Sequence, residues 1–263
     1  MVKVSVITPC YNPGKYLMPM LESVARQGDC VEKHILMDGG STDGTIERLE
    51  SWAAIHPNFE YISEKDNGQS DACQKALARV KTEYFCWLNA DDILLDGALM
   101  ALSEKTISVK QKPAIVYGDF LVIDGDGRLI KKRKQPTFNY WDCLHGFLGV
   151  QNAAAIFNAP LLREQGGFDV RLKFVMDYDV VLKLGSVGSV LHVRKYCAGF
   201  RLHQSSKTMT INDVCLEETE ALRTRYGVTT DMHLRKFQKR LAQLRVAIRM
   251  AFTGCLGCRL RRA

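Results

Sequence analysis

Four short apolar runs alternate with helical segments in the first ninety residues, and this alternation constrains the fold more than any other sequence feature. The runs, rich in β-branched and aromatic residues, occupy 2–8, 34–37, 59–63 and 84–88. Helical spacing of apolar residues fills the intervals at 16–27, 45–55 and 70–80. Such alternation predicts an α/β fold in which helices cover the faces of a mostly parallel sheet.

Polar clusters follow these predicted strands. Asp38, Asp66 and Asp91 each lie at a strand end or in the loop after one. In a parallel sheet such loops meet at one edge, where ligands bind, so we expect one crevice. The turn after the first strand reads TPCYN and carries no glycine-rich fingerprint, which argues against a dinucleotide-binding dehydrogenase.

Asp91 and Asp92 are adjacent carboxylates after the fourth apolar run. Two carboxylates held together repel each other unless a cation lies between them. Hard oxygen ligands suit Mg²⁺ or Mn²⁺. A strand-end turn in which one Asp caps the next helix is an equally simple interpretation. Turn chemistry is likewise the alternative for Asp38, which precedes two glycines.

The second half is less regular. Extended segments are predicted at 115–117, 121–123, 153–157, 190–193 and 198–202, with short helices at 159–165 and 178–184. A hairpin turn at 124–127 leads into a basic strand at 128–134. The nine scattered cysteines are expected to be reduced and mostly buried.

The positive charge is concentrated in the C-terminal tail. The net formal charge is +7, and residues 231–263 carry nine Lys or Arg against one Asp. The preceding body is therefore close to neutral, which argues against a nucleic-acid enzyme. Leu234, Phe237, Leu241, Leu244, Ile248 and Phe252 recur at steps of three and four, with basic residues between them. This pattern predicts a basic amphipathic helix that lies on an anionic membrane, packs on the domain or pairs with a second subunit.

We expect a cytoplasmic protein, peripheral at most on the inner face of the membrane. The first residues read as a strand and not as a secretory signal. No run of about 20 apolar residues predicts a spanning helix.

The ordered motifs resemble those of family 2 glycosyltransferases. The matching segments are TPCYN (8–12), DGGSTDGT (38–45), EKDNGQSDA (64–72), WLNADD (87–92), YGD (117–119), GGFD (166–169), MDYD (176–179) and FRLH (200–203). The resemblance covers about residues 1–210, and several of these motifs are common in enzymes that build bacterial surface polysaccharides. It implies a GT-A fold.

The resemblance also implies a nucleotide-sugar site. Its predicted members are Thr8, Pro9, Tyr11, Asn12, Asp38, Asp66, Gly68, Asp71, Lys75, Asn89, Ala90, Asp91, Arg201 and Lys207. Asp38 would hydrogen-bond a pyrimidine base. Asp66 and the stretch from Asp71 to Lys75 would border that base.

A metal site and a catalytic base complete the implied machinery. The predicted ligands of Mn²⁺ or Mg²⁺ are Asp91, Asp92 and His203, and either aspartate could face the metal. Asn89 stands where the family usually has an Asp. His203 and Lys207 have a solvated polar loop as their alternative. Asp177 matches the family's catalytic base, while Asp179 should point elsewhere on the same helix.

The sequence therefore predicts transfer of a sugar to a glycan or lipid-linked acceptor. The resemblance implies that the donor is a UDP-sugar and that the transfer inverts the anomeric carbon. The predicted parts are a nucleotide-sugar part (1–110) and an acceptor part (111–210) of one domain, with a helical tail (211–263). A homodimer through the tail stays open. The alternatives are a metal-dependent nucleotidyltransferase, which would need a basic glycine-rich loop after the first strand, and a non-catalytic nucleotide-sugar binder.

Overall fold

A computed structural model describes residues 2–146, 149–203 and 213–252. Its strands are β1 (Val4–Cys10), β2 (Val31–Asp38), β3 (Phe59–Ser63), β4 (Tyr84–Trp87), β5 (Ile93–Leu94), β6 (Ile115–Ile123), β7 (Leu129–Arg133), β8 (Ala155–Asn158) and β9 (Val190–Arg201). Its α-helices are α1 (Leu17–Ala25), α2 (Thr45–Ile55), α3 (Gln69–Arg79), α4 (Ala98–Ile107), α5 (Tyr140–Leu144), α6 (Ala159–Glu164), α7 (Met176–Val187), α8 (Asp213–Arg225) and α9 (Met232–Phe252).

One sheet joins the described strands in the order β3-β2-β1-β4-β8-β6-β9-β5, with β7 beside β6. The first four strands pair in parallel, as the alternation predicts. β8 enters antiparallel between β4 and β6, and β6 then pairs in parallel with β9. The prediction of an α/β sheet flanked by helices is confirmed.

Two apolar cores cover the two faces of the sheet. Ile7, Phe85 and Trp87 pack under α3, α6 and α7 on one face. Val6, Leu36 and Cys86 pack under α1, α2 and α4 on the other. β1, β4 and the second half of β2 are buried on both sides. Their sequences therefore read as nearly continuous apolar runs. This sandwich fixes the carboxyl ends of the strands, where the crevice lies.

Four of the segments predicted as extended are parts of two longer strands. Residues 115–117 and 121–123 belong to β6, and 190–193 and 198–201 belong to β9, which ends one residue before the predicted segment does. Gly118 interrupts the apolar pattern because a Cβ there would lie 2.6 Å from the Lys195 carbonyl oxygen on β9. Asp119 does so because Gln135 and His192 bind its carboxylate inside the sheet, both to Oδ1.

The tail helix α9 packs on the short helix α5. Ala242, Val246 and Met250 are buried there, which is one of the three placements that the tail pattern left open. Among the residues described, no helix combines the length and apolarity needed to cross a bilayer. No disulfide joins the cysteines in the described part of the chain, and all of these but Cys215 are buried, as predicted for them.

Candidate active site

The loops after β1 and β2 are tied together at the carboxyl end of the sheet. Asn12 adopts a left-handed backbone with φ of 45°, a conformation that Asn tolerates better than most residues. Its side-chain oxygen accepts a hydrogen bond from the Thr42 amide, and its own amide donates to Ser41 Oγ, both at 2.8 Å. Asp43 accepts the Gly14 amide at 2.8 Å. The predicted site residue Asn12 therefore cross-links the two loops that border the crevice.

Asp38 organises the loop after β2. It is 1% exposed, and its Oδ2 accepts hydrogen bonds from the Gly40 and Ser41 amides at 3.0 Å and from Ser63 Oγ at 2.7 Å. These bonds satisfy a buried carboxylate. A base would have to displace one of them, so the predicted contact between Asp38 and a pyrimidine stays a prediction.

Asp66 lies against the end of β2. A Cβ on Gly39 would lie 2.7 Å from Asp66 Oδ2, so the glycine makes room for this carboxylate. Asp66 Oδ1 accepts the Gly68 amide at 2.8 Å, and Gly68 has φ of 112°. The loop after β3 is thereby folded towards the loop after β2, as the prediction of one crevice requires.

Asp71 and Lys75 hold the loop after β3. Asp71 Oδ2 accepts the Asn67 amide at 3.0 Å, and the Lys75 ammonium lies 3.3 Å from the same oxygen and 2.9 Å from Glu64. Both side chains are partly exposed. Their predicted place beside the base stays a prediction, with a structural role already visible.

Thr8 and Pro9 lie in the buried part of this motif. Both are buried, and Thr8 Oγ1 lies 3.0 Å from His34 Nε2 inside the core. Their side chains are part of the sheet, and their predicted contact with a nucleotide stays a prediction. Tyr11, two residues further, is 66% exposed. The strand simply continues to Cys10, two residues beyond the predicted end, and the accessible part of this motif begins at Tyr11.

The turn at Asn89 to Asp92 is held from both sides. Gln69 donates to Asn89 Oδ1 at 2.8 Å, which fixes the turn to the start of α3. Ala90 is 9% exposed. Asp92 is 1% exposed and accepts the Arg201 backbone amide at 2.8 Å. Burial and the neighbouring Asp91 raise the pKa of Asp92 well above its ordinary value.

Arg201 is buried in the same region, with 4% of its surface exposed. Its Nε donates to the Asp91 carbonyl oxygen at 2.7 Å, and one terminal nitrogen donates to the Asp124 carbonyl oxygen at 3.0 Å. The guanidinium thus ties the acidic turn to the hairpin between β6 and β7 and positions Asp91. Its predicted place in the nucleotide-sugar site stays a prediction.

Asp91 and His203 face each other. His203 Nε2 lies 3.0 Å from Asp91 Oδ2, while Asp92 is directed at the Arg201 backbone. Within residues 2–146, 149–203 and 213–252 no three His, Cys, Asp or Glu side chains are grouped as a metal site. The prediction that Asp91, Asp92 and His203 bind a metal ion stays a prediction, and Asp91 and His203 are the two whose side chains meet. A carboxylate suits Mn²⁺ or Mg²⁺ when substrate phosphates complete the shell, and imidazole is a common metal ligand.

Tyr16 is a member of this site that the sequence analysis missed. Its ring centroid lies 4.6 Å from that of His203 and 5.2 Å from the Arg201 guanidinium carbon. Tyr16 was assigned to the start of a helix, and nothing in its spacing signals a contact with residues almost two hundred positions away. Lys207 lies outside the described residues.

Asp177 lies in the first turn of α7. Its carboxylate accepts the Tyr178 amide at 2.8 Å, and burial raises its pKa to about 6. A carboxylate with that pKa is suited to accept a proton near neutral pH. Asp179 is buried against Lys183 Nζ at 2.6 Å and Tyr226 at 3.2 Å. The expectation that Asp179 points elsewhere is confirmed.

The segment before Asp177 is anchored beside the crevice. Ser70 donates a hydrogen bond to the Leu172 carbonyl oxygen, and Phe168 packs edge-on against Trp87 with ring centroids 5.1 Å apart. Ser70 follows Gln69, which holds Asn89. The start of α3 therefore connects the acidic turn with the segment that leads into α7.

The family model described as glycosyl transferase family 2 matches residues 5–162. Chondroitin synthase from Escherichia coli is 29% identical over 214 residues, which are 80% of this chain and 30% of that protein. Hyaluronan synthase from Pasteurella multocida is 27% identical over 203 residues, which are 76% of this chain and 20% of that protein. The chain thus spans less than a third of the length of these relatives.

Solved structures share the fold. S. aureus TarS 1–349 in complex with UDP-GlcNAc superposes with a TM-score of 0.70 at 16% identity, covering 98% of this chain and 76% of that one. A mannosyltransferase from Pyrobaculum calidifontis in complex with GDP-Man and Mn²⁺ gives 0.64 at 18% identity, with the same two coverages. The predicted GT-A fold is confirmed. With the motifs in their predicted order around one crevice, the chain belongs to glycosyl transferase family 2.

Proposed function

We propose that this protein transfers a sugar from a nucleoside diphosphate sugar, a UDP-sugar in the first place, to a hydroxyl group of a growing surface polysaccharide. The observation that carries the proposal is the anchoring of the segment before Asp177 beside the strand-end crevice. The pKa of this carboxylate, which burial raises to about 6, suits a general base. Similarity to chondroitin and hyaluronan synthases supports the polysaccharide, and the fold shared with a UDP-GlcNAc complex supports the donor.

The base would act on the acceptor. Asp177 takes the proton of the acceptor hydroxyl as its oxygen attacks the anomeric carbon. The bond from that carbon to the diphosphate oxygen breaks on the opposite face, and the departing diphosphate keeps the electron pair. A single displacement of this kind inverts the anomeric configuration. The inversion rests on the resemblance to the family.

Asp91 and His203 would hold a divalent cation, Mn²⁺ or Mg²⁺. Their facing oxygen and nitrogen fit such an ion, and the mannosyltransferase of the same fold was solved with Mn²⁺. When bound, the ion neutralises charge that develops on the departing diphosphate. Arg201 and Tyr16 keep the two ligands in place through their contacts with Asp91 and His203.

The loops after β1, β2 and β3 would hold the nucleotide. Tyr11 is exposed at the rim, and Asp66 lies against Gly39 at the end of β2. Asp38 and Asn12 fix the shape of these loops through their hydrogen bonds. We therefore propose that the pyrimidine base of the nucleotide lies between Tyr11 and Asp66. Asp38 would either contact this base or act through the loop that it organises.

The acceptor would be a glycan or a lipid-linked glycan, met at the inner face of an anionic membrane. The basic excess of residues 231–263 supports that location. A homodimer through the tail is the competing use of the same helix.

The decisive experiment replaces the base. Asp177→Asn should lower kcat by about 10²–10⁴-fold, because it removes proton acceptance. Titration calorimetry should find UDP binding with Mn²⁺ unchanged. Asp96→Asn, at a side chain that is 82% exposed, is the matched control and should keep parent activity. A variant at Asp177 that retains more than about a tenth of parent kcat would contradict the assignment.

A further inference from the structure

Helix α9 has one face that packs against the domain and one apolar face that is exposed. Its packed face consists of Ala242 and Val246, both fully buried, and Met250. The large side chains Leu234, Phe237, Leu244 and Ile248 are instead 46–61% exposed. Small residues let the helix approach α5 closely, so the domain takes the small-residue face. The larger apolar stripe is left uncovered by the described residues of this chain.

A buried carboxylate fixes this orientation. Asp142 on α5 is 1% exposed and pairs with Arg245 Nε at 2.8 Å and with Arg249. The Arg245 guanidinium also lies 5.2 Å from the centroid of the Trp141 ring. Rotating α9 about its axis to bury its apolar stripe would break both ion pairs and leave the Asp142 carboxylate buried without a counter-charge. The stripe is therefore held outward.

Charge decides what can cover the stripe. The helix from Met232 to Phe252 contains six Lys or Arg residues and no acid. Three of these cations are used internally, Arg245 and Arg249 by Asp142 and Arg235 by Glu220. Lys236, Lys239 and Arg240 are exposed on the first half of the helix, and Arg240 lies one turn from both Phe237 and Leu244 of the stripe. Two copies of α9 packed through the stripe would bring positive charge against positive charge, whereas an anionic bilayer attracts it while it takes up the apolar side chains.

The packed face of α9 is also linked through α5 to the residue next to the proposed catalytic base, Asp177. Tyr178, next to Asp177, donates its hydroxyl hydrogen bond to the Cys143 and Leu144 carbonyl oxygens of α5, at 3.0 and 2.8 Å. Those two residues follow Asp142 directly. Only the short helix α5 thus lies between α9 and α7, the helix that carries Asp177.

We propose that α9 is a fixed bridge: its stripe of Leu234, Phe237, Leu244 and Ile248 inserts into the headgroup region of an anionic bilayer while Asp142 clamps its other face to the acceptor part. The bridge holds the acceptor side of the crevice at the bilayer, where a lipid-linked glycan arrives. This rests on the proposed transfer to such an acceptor.

The test uses the full chain and vesicles of phosphatidylglycerol and phosphatidylcholine, with pure phosphatidylcholine vesicles for comparison. Phe237→Ser with Leu244→Ser should reduce co-sedimentation with anionic vesicles by about tenfold or more, because two exposed apolar side chains are lost. Ile55→Ser with Ile107→Ser removes two side chains that are 72% and 62% exposed on other helices. This matched control should bind as the parent does. High salt should weaken binding of the parent.

Two outcomes overturn the inference. Either the parent ignores anionic vesicles, or the stripe variant binds them as well as the parent. Sedimentation velocity identifies the other occupant: a parent dimer that becomes a monomer in the stripe variant would assign the stripe to a second copy. Donor turnover with a soluble acceptor analogue is measured on every variant. It should be unchanged, and its absence in the parent would count against the proposed function and not against the bridge.

Discussion

Two regions of the molecule each contain a buried aspartate with an arginine from far along the chain, and they use it in opposite ways. In the crevice, Asp92 receives the backbone amide of Arg201, whose guanidinium is directed at carbonyl oxygens instead. At the junction of α5 and α9, Asp142 receives two guanidinium groups directly. In the crevice the Arg201 guanidinium binds carbonyl oxygens and not the carboxylates of the acidic turn. At the junction two guanidinium groups neutralise the Asp142 carboxylate within the fold.

The difference distinguishes a candidate ligand-binding site, the crevice, from a structural contact, the junction of α5 and α9. Burial and the adjacent Asp91 carboxylate both raise the pKa of Asp92. In the proposed function a cation would meet the more exposed member of the pair, Asp91, which lies beside His203. At the junction both oxygens of Asp142 already lie in ion pairs, with Arg245 and with Arg249. This internal pairing is what an element needs to hold one orientation.

Removing the arginines of the junction should have the largest effect on stability. Arg245→Met with Arg249→Met leaves the Asp142 carboxylate buried and unpaired, so we expect a loss of about 3 kcal/mol in the free energy of unfolding. Urea unfolding at pH 7.5 measures it. The converse variant Asp142→Asn should cost about 1 kcal/mol, because the arginines are 44% and 27% exposed and can turn to water. Equal losses in the two variants would mean that the clamp is not a buried-charge interaction.

Replacing the two acids of the crevice should separate their roles. Asp91→Asn should weaken Mn²⁺-dependent UDP binding by about tenfold or more, because it removes the charged ligand of the ion. Asp92→Asn should change it by less than about threefold, since an amide oxygen still accepts the Arg201 amide. Calorimetry with and without Mn²⁺ measures both. If the two variants lose affinity equally, the ion lies between both aspartates as the adjacent pair first suggested.

The sequence predicted the first region better than the second. Strands β1 to β4 and helices α1 to α3 follow from local apolar periods, and their loops meet because parallel strands share one edge. The direction of individual side chains does not follow: Thr8 and Arg201 lie in the right segments but are buried. For α9 the period predicted a helix, yet the contact between Asp142 and Arg245 joins residues 103 positions apart. No local pattern encodes such a contact, so the packed face could not be chosen.

Burial raises the pKa of a third acid, Asp177, which has neither a paired arginine nor an adjacent carboxylate among the residues described. Asp177 gives the prediction with the smallest expected effect. Its raised pKa means that the folded state binds this proton more tightly than the unfolded chain does. The group therefore favours the folded state fully below about pH 4, and this contribution is lost as pH rises through about 6. The nearby Cys143 and Cys215 thiols have raised pKa values, about 12 for Cys143, so they stay neutral in this range.

Asp177→Asn should consequently raise Tm by about 2 °C or more at pH 8 and by little at pH 4.5, because an amide carries no charge to desolvate. The parent's kcat/KM should rise with pH along a limb with an apparent pKa of about 6, as the carboxylate gains its ability to accept a proton. Differential scanning fluorimetry across pH and a pH–rate profile measure the two effects independently. A variant that is less stable than the parent at pH 8 would place Asp177 with Asp142, as an acid that the fold needs in its charged form. A variant that is more stable but inactive would mark it as a group kept for the reaction at the expense of the fold.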